Sequence, residues 1–248
     1  MPVLKISVIT VCFNARATIT ACVESVIAQT HPNIEYIIVD GVSTDGTLDI
    51  INSFGNKVTK LISEPDRGIY DAINKGLAIA TGDVIGTLNA DDRYADFYVL
   101  SKVAGAFTEP ATDILYGDLD YVDHNNKVKR LWRSGNFKPG MFNRGWMPPH
   151  PTFYCRKQLF DRLGGYSLNY GTAADYELMV RFIHRNNINA YYLQHVMVKM
   201  MMGGVSNRSL LNRGKALYND FRAMYNNHVI FPPLALILKP LRKLKQFF

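Results

Sequence analysis

Cysteine is scarce in this chain, and the cysteines present are not spaced for a metal site or a disulfide framework. Cys12, Cys22 and Cys155 are odd in number, and no two of them form a CxxC pair. Structural zinc sites and disulfide scaffolds depend on such spacings or on paired cysteines. Neither is therefore expected, and the cysteine usage fits a reducing compartment.

Long apolar runs and targeting signals are also missing. No run approaches the roughly 20 apolar residues that a membrane-spanning helix needs. The N-terminus leads directly into a strand-like segment without a basic region or a cleavage site, so no signal peptide is expected. No GxGxxG motif follows the first apolar segment, which disfavours a Rossmann dehydrogenase.

Acidic residues are outnumbered by basic ones, 21 against 28, which gives a formal charge of +7. Such a surplus fits nucleic acid, phosphorylated substrates or an anionic membrane and does not choose among them. The cations are not interleaved with aromatic residues on one recognisable module, so no nucleic-acid partner is predicted. With 248 residues, 48% of them hydrophobic, the chain is long enough for one α/β domain with a sizeable core.

Two periods of apolar residues alternate over the first part of the chain. Between helical stripes such as Ile19, Val23 and Ile27 lie nearly continuous apolar segments, typical of buried parallel strands, at residues 6–13, 36–39, 60–62 and 84–88. This order predicts a mostly parallel α/β sheet with helices on both faces. Asn14, Asp40 and residues 89–92 would then lie at the carboxyl ends of strands, where such sheets bind ligands.

The pattern changes after residue 113. Residues 114–121 and 128–132 flank a polar turn and predict a hairpin, and a helix is expected to begin at Asp175. A longer amphipathic helix is predicted over 207–228. We therefore predict one domain over residues 1–229, with a mostly parallel half at 1–112 and a smaller, mixed half at 113–229.

The last segment, residues 230–248, combines apolar and basic residues without an acidic one. Pro232, Pro233 and Pro240 are expected to prevent one long regular helix there. Basic residues beside apolar ones favour contact with an anionic membrane surface, at about 1 kcal/mol per cation. The alternatives are a tail packed on the core and a dimer contact.

Asp91 and Asp92 are the main candidate metal ligands. They follow an apolar segment, and adjacent carboxylates bind Mg²⁺ or Mn²⁺ while substrate phosphates fill the remaining positions. A solvated turn or a helix cap is the alternative. Asp40 could accept a hydrogen bond from a nucleobase or a ribose. Arg67 suits bidentate contact with phosphate, although a loop arginine can also be simply solvated.

Asp175 is the candidate general base, because it opens a helix after a Gly-containing loop and could deprotonate a sugar hydroxyl. An acid favoured by the helix dipole is the alternative, and Glu177 is the nearby competitor. His150, between two prolines, could contact a diphosphate or an acceptor. Gly203 and Gly204 could let a phosphate approach the backbone closely, or could only make a turn.

Taken in order, several segments resemble glycosyltransferase family 2. Residues 6–14 resemble the opening strand of the family, residues 35–47 its nucleotide-binding strand and turn, and residues 88–92 its DxD-type metal motif. The resemblance extends from residue 6 to about residue 206. Residues 63–76, with His150, Pro151 and residues 203–206, are similar to a bacterial subgroup that builds exopolysaccharide, colanic-acid-like or O-antigen repeat units.

The resemblance implies a GT-A fold, with residues 1–112 as the nucleotide-binding half and residues 113–229 as the acceptor-binding half. It also implies a nucleoside-diphosphate-sugar donor (UDP-linked, with GDP as the alternative) and Mn²⁺ or Mg²⁺ as cofactor. It implies Asp91 as the principal metal ligand with Asp92 in support, and Asp175 as the catalytic base. The nucleotide-binding residues that it implies are Thr10, Phe13, Asn14, Asp40, Ser43, Arg67, Asn74, Asn89, Ala90 and Asp91. Acceptor or diphosphate contacts are implied for Tyr70, His150, Gly203, Gly204 and Ser206.

The implied reaction is an inverting single displacement onto a saccharide acceptor that is polyprenyl-diphosphate-linked. The enzyme would be peripheral, on the cytoplasmic, inner face of the cytoplasmic membrane. Asn89 stands where many members have the first Asp of the metal motif, and Ala174 replaces the Glu that often precedes the base. These departures leave open a catalytically silent nucleotide-sugar-binding or scaffold protein of a polysaccharide assembly complex. A sugar-phosphate nucleotidyltransferase is disfavoured, because Asn14 and Arg16 stand where its Gly-rich basic loop would follow the first strand.

Overall fold

The apolar strands of the first half are buried on both faces of a sheet. In the first strand, Ile9 and Val11 enter the hydrophobic core on one face, and Val8 and Cys12 enter the core on the other. This alternation follows from the two-residue period of a strand. A computed structural model describes residues 3–109, 111–202, 210–244 and 246, with the side chains of 210–213 excepted.

The described strands form one nine-stranded sheet. They are β1 (Ile6–Cys12), β2 (Ile34–Asp40), β3 (Lys60–Ser63), β4 (Val84–Thr87), β5 (Asp92–Tyr94), β6 (Ile114–Val122), β7 (Val128–Trp132), β8 (Tyr154–Arg156) and β9 (Ala190–Met201). Their order is β3-β2-β1-β4-β8-β6-β9-β5, with β7 paired to β6. The first four strands are mutually parallel, whereas the rest form a mixed extension in which β8 runs antiparallel to β4 and β6.

Helices cover both faces of this sheet. They are α1 (Ile19–Ile27), α2 (Thr47–Ser53), α3 (Ile69–Ile79), α4 (Val99–Ala106), α5 (Lys157–Leu163), α6 (Ala174–Met179), α7 (Leu210–Asn226) and α8 (Pro232–Leu244). Ala72 and Ile73 of α3 belong to the core on one face, and Cys22 and Val23 of α1 belong to the core on the other. The α/β class predicted from the sequence is confirmed.

The strand register brings three strand ends together. Cys12 of β1 pairs with Asp40 of β2, and Asp40 pairs in turn with Ser63 of β3. The carboxyl ends of these parallel strands therefore meet at one edge of the sheet, where ligands bind in open α/β folds. In the second half, β6 and β7 form the predicted hairpin, and α6 begins one residue before Asp175.

The expectation that proline would prevent a regular helix after residue 230 is wrong. The helix α8 runs for 13 residues with Pro240 inside it. Pro232 and Pro233 occupy its first turn, where a backbone N–H has no partner within the helix. Pro240 itself is exposed, and the carbonyl that it leaves without a helical partner belongs to Leu236, which is partly buried.

One face of α8 packs against the body of the protein. Ala235 is fully buried, and Lys239 forms an ion pair with Asp220 of α7 at 2.8 Å. Gly145 lies so close to α8 that a Cβ there would come within 2.5 Å of the backbone nitrogen of Lys239. The tail is therefore packed on the body through one face, as one of the alternatives held. No helix in the described ranges is both long and apolar enough to cross a bilayer.

Candidate functional site

Asp40 anchors the loop that follows β2. Its carboxylate is fully buried and accepts hydrogen bonds from the Ser43 hydroxyl, the Ser43 backbone N–H at 3.0 Å and the Ser63 hydroxyl at 2.7 Å. Burial alone would raise the pKa of Asp40, but these hydrogen bonds outweigh it and lower the pKa below the usual value. Asp40 is thus a buried carboxylate held ionised. A nucleobase can reach it only by displacing a hydroxyl donor, so the direct contact stays a prediction.

An exposed aromatic ring and a carboxylate flank the same loop. Phe13, directly after β1, is 65% exposed, which is unusual for an apolar side chain that follows a buried strand. A Cβ on Gly41 would lie 2.7 Å from Oδ2 of Asp66 and 3.4 Å from the Phe13 ring. A side chain at position 41 would therefore require the carboxylate of Asp66 to move. The ring of Phe13 is free to stack on a planar base.

The loop also contains backbone conformations that side chains rarely adopt. Asn14 and Val42 have positive φ angles of 49° and 65°. The Asn14 N–H donates to Ser43 Oγ at 2.8 Å, and its side-chain oxygen accepts from the Thr44 N–H at 2.9 Å. Asparagine tolerates this region, whereas a β-branched valine is strained there. Such strain is concentrated at functional sites.

Arg67 lies in the loop between β3 and α3 and is open to solvent. Its side chain is 79% exposed and forms an ion pair with Asp71 at 3.0 Å. The Arg67 backbone N–H donates to the same carboxylate. The hydrogen bond that the Arg67 guanidinium donates to the Asp71 carboxylate raises the pKa of Arg67 and lowers the pKa of Asp71. An exposed ion pair of this kind is weak, so the guanidinium is available to a phosphate.

The pair Asp91 and Asp92 follows β4, and the two carboxylates differ in their surroundings. Asp91 is exposed, whereas Asp92 is 1% exposed and belongs to β5, which pairs with β9. Asn89 Nδ2 donates to Asp92 Oδ2 at 3.1 Å, while Oδ1 of Asp92 has no hydrogen-bond partner among the described residues. Burial and then the charge of Asp91 raise the pKa of Asp92 well above its usual value.

These two carboxylates fit a divalent metal that takes most of its ligands from water and substrate. No group of three His, Cys, Asp or Glu side chains able to hold a metal occurs in the described part of the chain. Mg²⁺ commonly binds through one or two carboxylates together with substrate phosphates. The exposed Asp91 and the unpartnered oxygen of Asp92 provide such a set. The side chain of Asp92 is too deeply buried to touch a nucleotide.

Asp175 is surrounded by aromatic side chains from three other segments. Its Oδ1 accepts the backbone N–H of Tyr176 at 2.7 Å, and the side chain is partly exposed. Burial, and then the charge and hydrogen bonding of Asp175, raise the pKa of Tyr70. His150 contacts the Tyr166 hydroxyl through Nε2 at 2.7 Å, and Tyr70 stacks on Tyr166 with ring centroids 5.5 Å apart.

His150 belongs to this cluster and is held neutral. Burial lowers the pKa of His150, although the charge of Asp175 opposes this effect. The ring lies edge-on to Tyr166, with centroids 5.4 Å apart. The structure thus brings Tyr70, His150 and Asp175 together, which the sequence alone could not establish.

Glu177, the competitor of Asp175, is engaged elsewhere. It is 4% exposed and forms an ion pair with Arg181 at 3.0 Å. Asn227 Nδ2 also donates to it at 3.2 Å. A carboxylate with these partners has no free face for an acceptor hydroxyl, so Glu177 is a structural acid.

Two residues predicted to bind the nucleotide have side chains that are engaged elsewhere. Thr10 is fully buried on the α1 side of β1, where its hydroxyl accepts from Tyr36 at 3.1 Å. The Asn74 side chain donates through Nδ2 to the Tyr166 carbonyl at 2.8 Å and accepts the Tyr166 N–H at Oδ1 at 2.9 Å. Neither side chain has a polar group left for a nucleotide. Ala90 is 6% exposed and can offer little more than its backbone.

Other positions were missed by the sequence, or lie beyond the description. Asp66 lies beside Phe13 and Tyr166 lies beside His150, but neither was assigned a role from the sequence. Asp118 of β6 is buried and accepts hydrogen bonds from the Tyr192 hydroxyl and the Ser134 N–H, both at 2.9 Å. The contacts of these residues are with partners distant in sequence. Only Asp66 could have been identified from the sequence, because it lies in the loop 64–68 beside Arg67. The assignments to Gly203, Gly204 and Ser206 fall outside the described residues.

Known proteins with similar sequences are glycosyltransferases by name. A glycosyltransferase of PGL/p-HBAD biosynthesis from Mycobacterium tuberculosis is 34% identical over 215 residues, which cover 81% of this chain and 78% of that one. The Escherichia coli protein UDP-Glc:alpha-D-GlcNAc-diphosphoundecaprenol beta-1,3-glucosyltransferase WfaP is 29% identical over 202 residues, 77% of each chain.

Solved structures support the fold. Staphylococcus aureus TarS in complex with UDP superposes with a TM-score of 0.68 at 21% identity, over 90% of this chain and 66% of that one. The mannosyltransferase PcManGT from Pyrobaculum calidifontis, in complex with GDP-Man and Mn²⁺, superposes with a TM-score of 0.66 at 17% identity, over 96% and 73%. The model of the family described as Glycosyl transferase family 2 matches residues 7–165. The chain therefore belongs to glycosyl transferase family 2 and is a glycosyltransferase.

Proposed function

We propose that this glycosyltransferase moves a sugar from a nucleoside-diphosphate sugar to a lipid-linked saccharide, with inversion at the anomeric carbon. The observation that carries the proposal is the position of Asp175: one carboxylate oxygen is fixed by a backbone N–H, and the side chain is partly exposed beside Tyr70 and His150. Residues 1–112 would hold the donor and residues 113–229 the acceptor, within one domain.

The donor would lie at the carboxyl ends of β1 to β3. The exposed ring of Phe13 suits stacking on the base, and the loop anchored by Asp40 and Ser43 suits the ribose. Arg67, which is 79% exposed, would turn from Asp71 to the diphosphate. TarS and PcManGT hold UDP and GDP-Man in their complexes, and WfaP is named for UDP-Glc. We therefore favour a UDP-sugar, with a GDP-sugar as the alternative.

A divalent metal, Mn²⁺ or Mg²⁺, would be held by the exposed Asp91, with Asp92 in support. When bound, such an ion supplies positive charge that stabilises a leaving diphosphate. Asn89 contributes by holding one oxygen of Asp92, which leaves the other oxygen unpartnered. The residue that departs from the usual motif therefore still positions its neighbour.

Asp175 would accept the proton of the acceptor hydroxyl. As the acceptor oxygen forms its bond to the anomeric carbon, the bond from that carbon to the diphosphate oxygen breaks, and its electron pair leaves with the diphosphate. The proton goes to the carboxylate oxygen of Asp175 that does not hold the Tyr176 N–H. The neutral His150, whose Nε2 is held by the Tyr166 hydroxyl, and the hydroxyl of Tyr70 would orient the acceptor sugar without competing for that proton.

The acceptor would be a polyprenyl-diphosphate-linked saccharide at the inner face of the cytoplasmic membrane. WfaP is named for a diphosphoundecaprenol-linked acceptor. On α8, four apolar side chains form one exposed stripe at helical spacing, namely Leu234, Ile237, Leu241 and Leu244 at 43%, 62%, 52% and 57% exposure. Arg242 and Lys243 are basic neighbours on the same helix. A helix of this composition lies well at the surface of an anionic bilayer.

A screen of nucleotide sugars with Mn²⁺ or Mg²⁺ tests the catalytic assignment. Release of nucleoside diphosphate is expected with one donor, and it should be abolished by EDTA, by Asp91→Ala and by Asp175→Ala. Glu177→Gln is the matched control and should retain turnover. A variant lacking Asp175 that still transfers sugar at the native rate would disprove the assignment. Binding of nucleoside diphosphate without turnover of any donor, even with lipid-linked acceptors present, would count against the proposed transfer.

Membrane contact is tested separately by flotation with phosphatidylglycerol vesicles. Ile237→Ser with Leu241→Ser should prevent flotation while leaving the unfolding temperature unchanged, since both side chains are exposed. Point substitutions are preferable to deletion, because the opposite face of α8 is part of the core. Vesicle binding that survives the double substitution would remove α8 from the membrane contact.

A further inference from the structure

A cavity of about 340 Å³ lies where α8 packs against the acceptor half. Its walls come from the end of β7 with the two residues after it, from the turn at Gly145, and from the outer half of α8. The residues used below are Trp132, Arg133, Trp146, Lys239, Arg242 and Lys243. Four cations and two indole rings therefore share one cavity, and no acidic side chain lines it in the described part of the chain.

The four cations are unequally neutralised. Arg133 is paired with Asp120 of β6, and Lys239 is paired with Asp220 at 2.8 Å. Arg242 and Lys243 have no carboxylate partner among the residues that the structure describes. The cavity therefore carries two uncompensated positive charges, which an anion would neutralise.

The environment of Lys243 agrees with this charge count. Part of its side chain is exposed, yet burial of the ammonium, followed by repulsion from Lys239 and Arg130, lowers the pKa of Lys243. An anion bound beside Lys243 would oppose the repulsion from Lys239 and Arg130 and raise the pKa of Lys243. The charges of Asp220 and then of Asp175 also act to raise the pKa of Lys243 and do not outweigh the effects that lower it.

The cavity also lies between the proposed base and the apolar stripe. Lys239 Nζ lies 3.8 Å from the ring centroid of Tyr176, the residue directly after Asp175. On the other side, the stripe of Leu234, Ile237, Leu241 and Leu244 faces outward from the same helix. A lipid-linked acceptor has the same sequence of parts: a sugar, a diphosphate and a hydrocarbon chain.

We propose that this cavity binds the diphosphate of the lipid-linked acceptor through Arg242 and Lys243, separately from the donor site. Arg242 suits bidentate contact with a phosphate, and Lys243 supplies a second positive charge. Trp132 and Trp146 line the same cavity and can cover the first carbons of the lipid. The proposal rests on the lipid-linked acceptor of the proposed function.

Geranyl diphosphate is a suitable probe, because it carries a diphosphate on a short isoprenoid chain and needs no known sugar. Its affinity for the full chain is measured by calorimetry in EDTA, and UDP is titrated separately. Arg242→Gln with Lys243→Gln should lower the affinity for geranyl diphosphate at least tenfold and leave the affinity for UDP unchanged. Lys57→Gln with Lys127→Gln removes the same charge from exposed positions outside the cavity and should change neither affinity.

The remaining arms separate the sources of the anion and the two proposals. Inorganic pyrophosphate that binds as tightly as geranyl diphosphate would assign the cavity to a free anion and overturn the lipid assignment. If Arg67→Gln abolishes binding of geranyl diphosphate and the double cavity variant still binds it, the probe occupies only the donor site and the inference is overturned.

The vesicle arm addresses bilayer headgroups. The inference fails if the native chain does not bind geranyl diphosphate and the double cavity variant no longer binds phosphatidylglycerol vesicles. The two cations would then bind lipid headgroups of the bilayer. Failure of the native chain to bind UDP or any other nucleoside diphosphate would refute the donor assignment alone. The geranyl diphosphate titration would still report on the cavity.

Discussion

Asp175 and Glu177 are two carboxylates on the same helix, and the structure predicts opposite consequences for their removal. Asp175→Asn keeps the shape of the side chain, and the amide oxygen can still accept the Tyr176 N–H that now lies 2.7 Å from Oδ1. It removes only the oxygen that would take a proton. General-base catalysis contributes about 10²- to 10⁴-fold. We therefore expect kcat to fall by about 10³-fold, equivalent to about 4 kcal/mol, with little change in stability.

Glu177→Gln should have the reverse effect. The substitution removes a charge that is 4% exposed and leaves the Arg181 guanidinium, with a side chain 15% exposed, without its acid. Breaking a buried ion pair costs about 3 kcal/mol at the lower end of the usual range. The lower end applies because Arg181 also donates to the backbone oxygens of Leu163 and Gly165. For a chain of this size the loss lowers the unfolding temperature by roughly 6–12 °C.

Both variants are measured by calorimetric unfolding and by release of nucleoside diphosphate at saturating donor and acceptor. Affinity for nucleoside diphosphate serves as the common control and should be unchanged in both. A large loss of kcat in Glu177→Gln, with native turnover in Asp175→Asn, would refute the assignment of the base. Equal losses of stability in the two variants would refute the claim that only Glu177 is structural.

Three further outcomes follow from individual contacts. Burial would raise the pKa of Glu35, but hydrogen bonds led by that of Ser7 lower it far below its usual 4.5. The ionised Glu35 therefore contributes its full stabilisation above pH 4.5 and loses it on further acidification. Glu35→Gln should flatten the decline in stability to urea below that pH. Gly145→Ala would place a Cβ 2.5 Å from the Lys239 nitrogen at a φ of 72°, and we expect a loss of about 2 kcal/mol in urea unfolding together with weaker vesicle flotation; unchanged values would show that the α8 contact is loose. Val42→Asn should relieve strain at a φ of 65° and raise stability by about 1 kcal/mol, and a destabilised variant would contradict the strain argument.

The sequence predicted the strands well because burial on both faces leaves nearly continuous apolar runs. The same burial hides which face a given residue occupies. Thr10 and Ile9 are equally buried in β1, yet Thr10 faces Tyr36 under α1, whereas Ile9 belongs to the core beneath α3. The sequence therefore could not show that the Thr10 hydroxyl is buried against Tyr36.

Long-range partners explain the other differences. Asn74 is one helical turn beyond Tyr70 in sequence, but it binds the backbone of Tyr166, 92 residues away. Asp40 ends its strand in register with Ser63, and this pairing supplies a hydroxyl donor that local sequence does not reveal. The tail prediction failed because proline in the first turn of a helix costs no hydrogen bond, so Pro232 and Pro233 begin α8 and do not interrupt it.

The tight packing of α8 sets a length scale. Lys239 on the inner face of this helix touches the ring of Tyr176, and Ile237 on the outer face is 62% exposed. Tyr176, the residue next to the proposed base Asp175, is thus separated from the apolar stripe by one helix diameter, about 10–12 Å. Because Gly145 and Asp220 fix the helix to the body, this separation cannot stretch. If the stripe rests on a bilayer as proposed, this spacing would favour acceptor sugars close to the membrane surface over the ends of long saccharide chains.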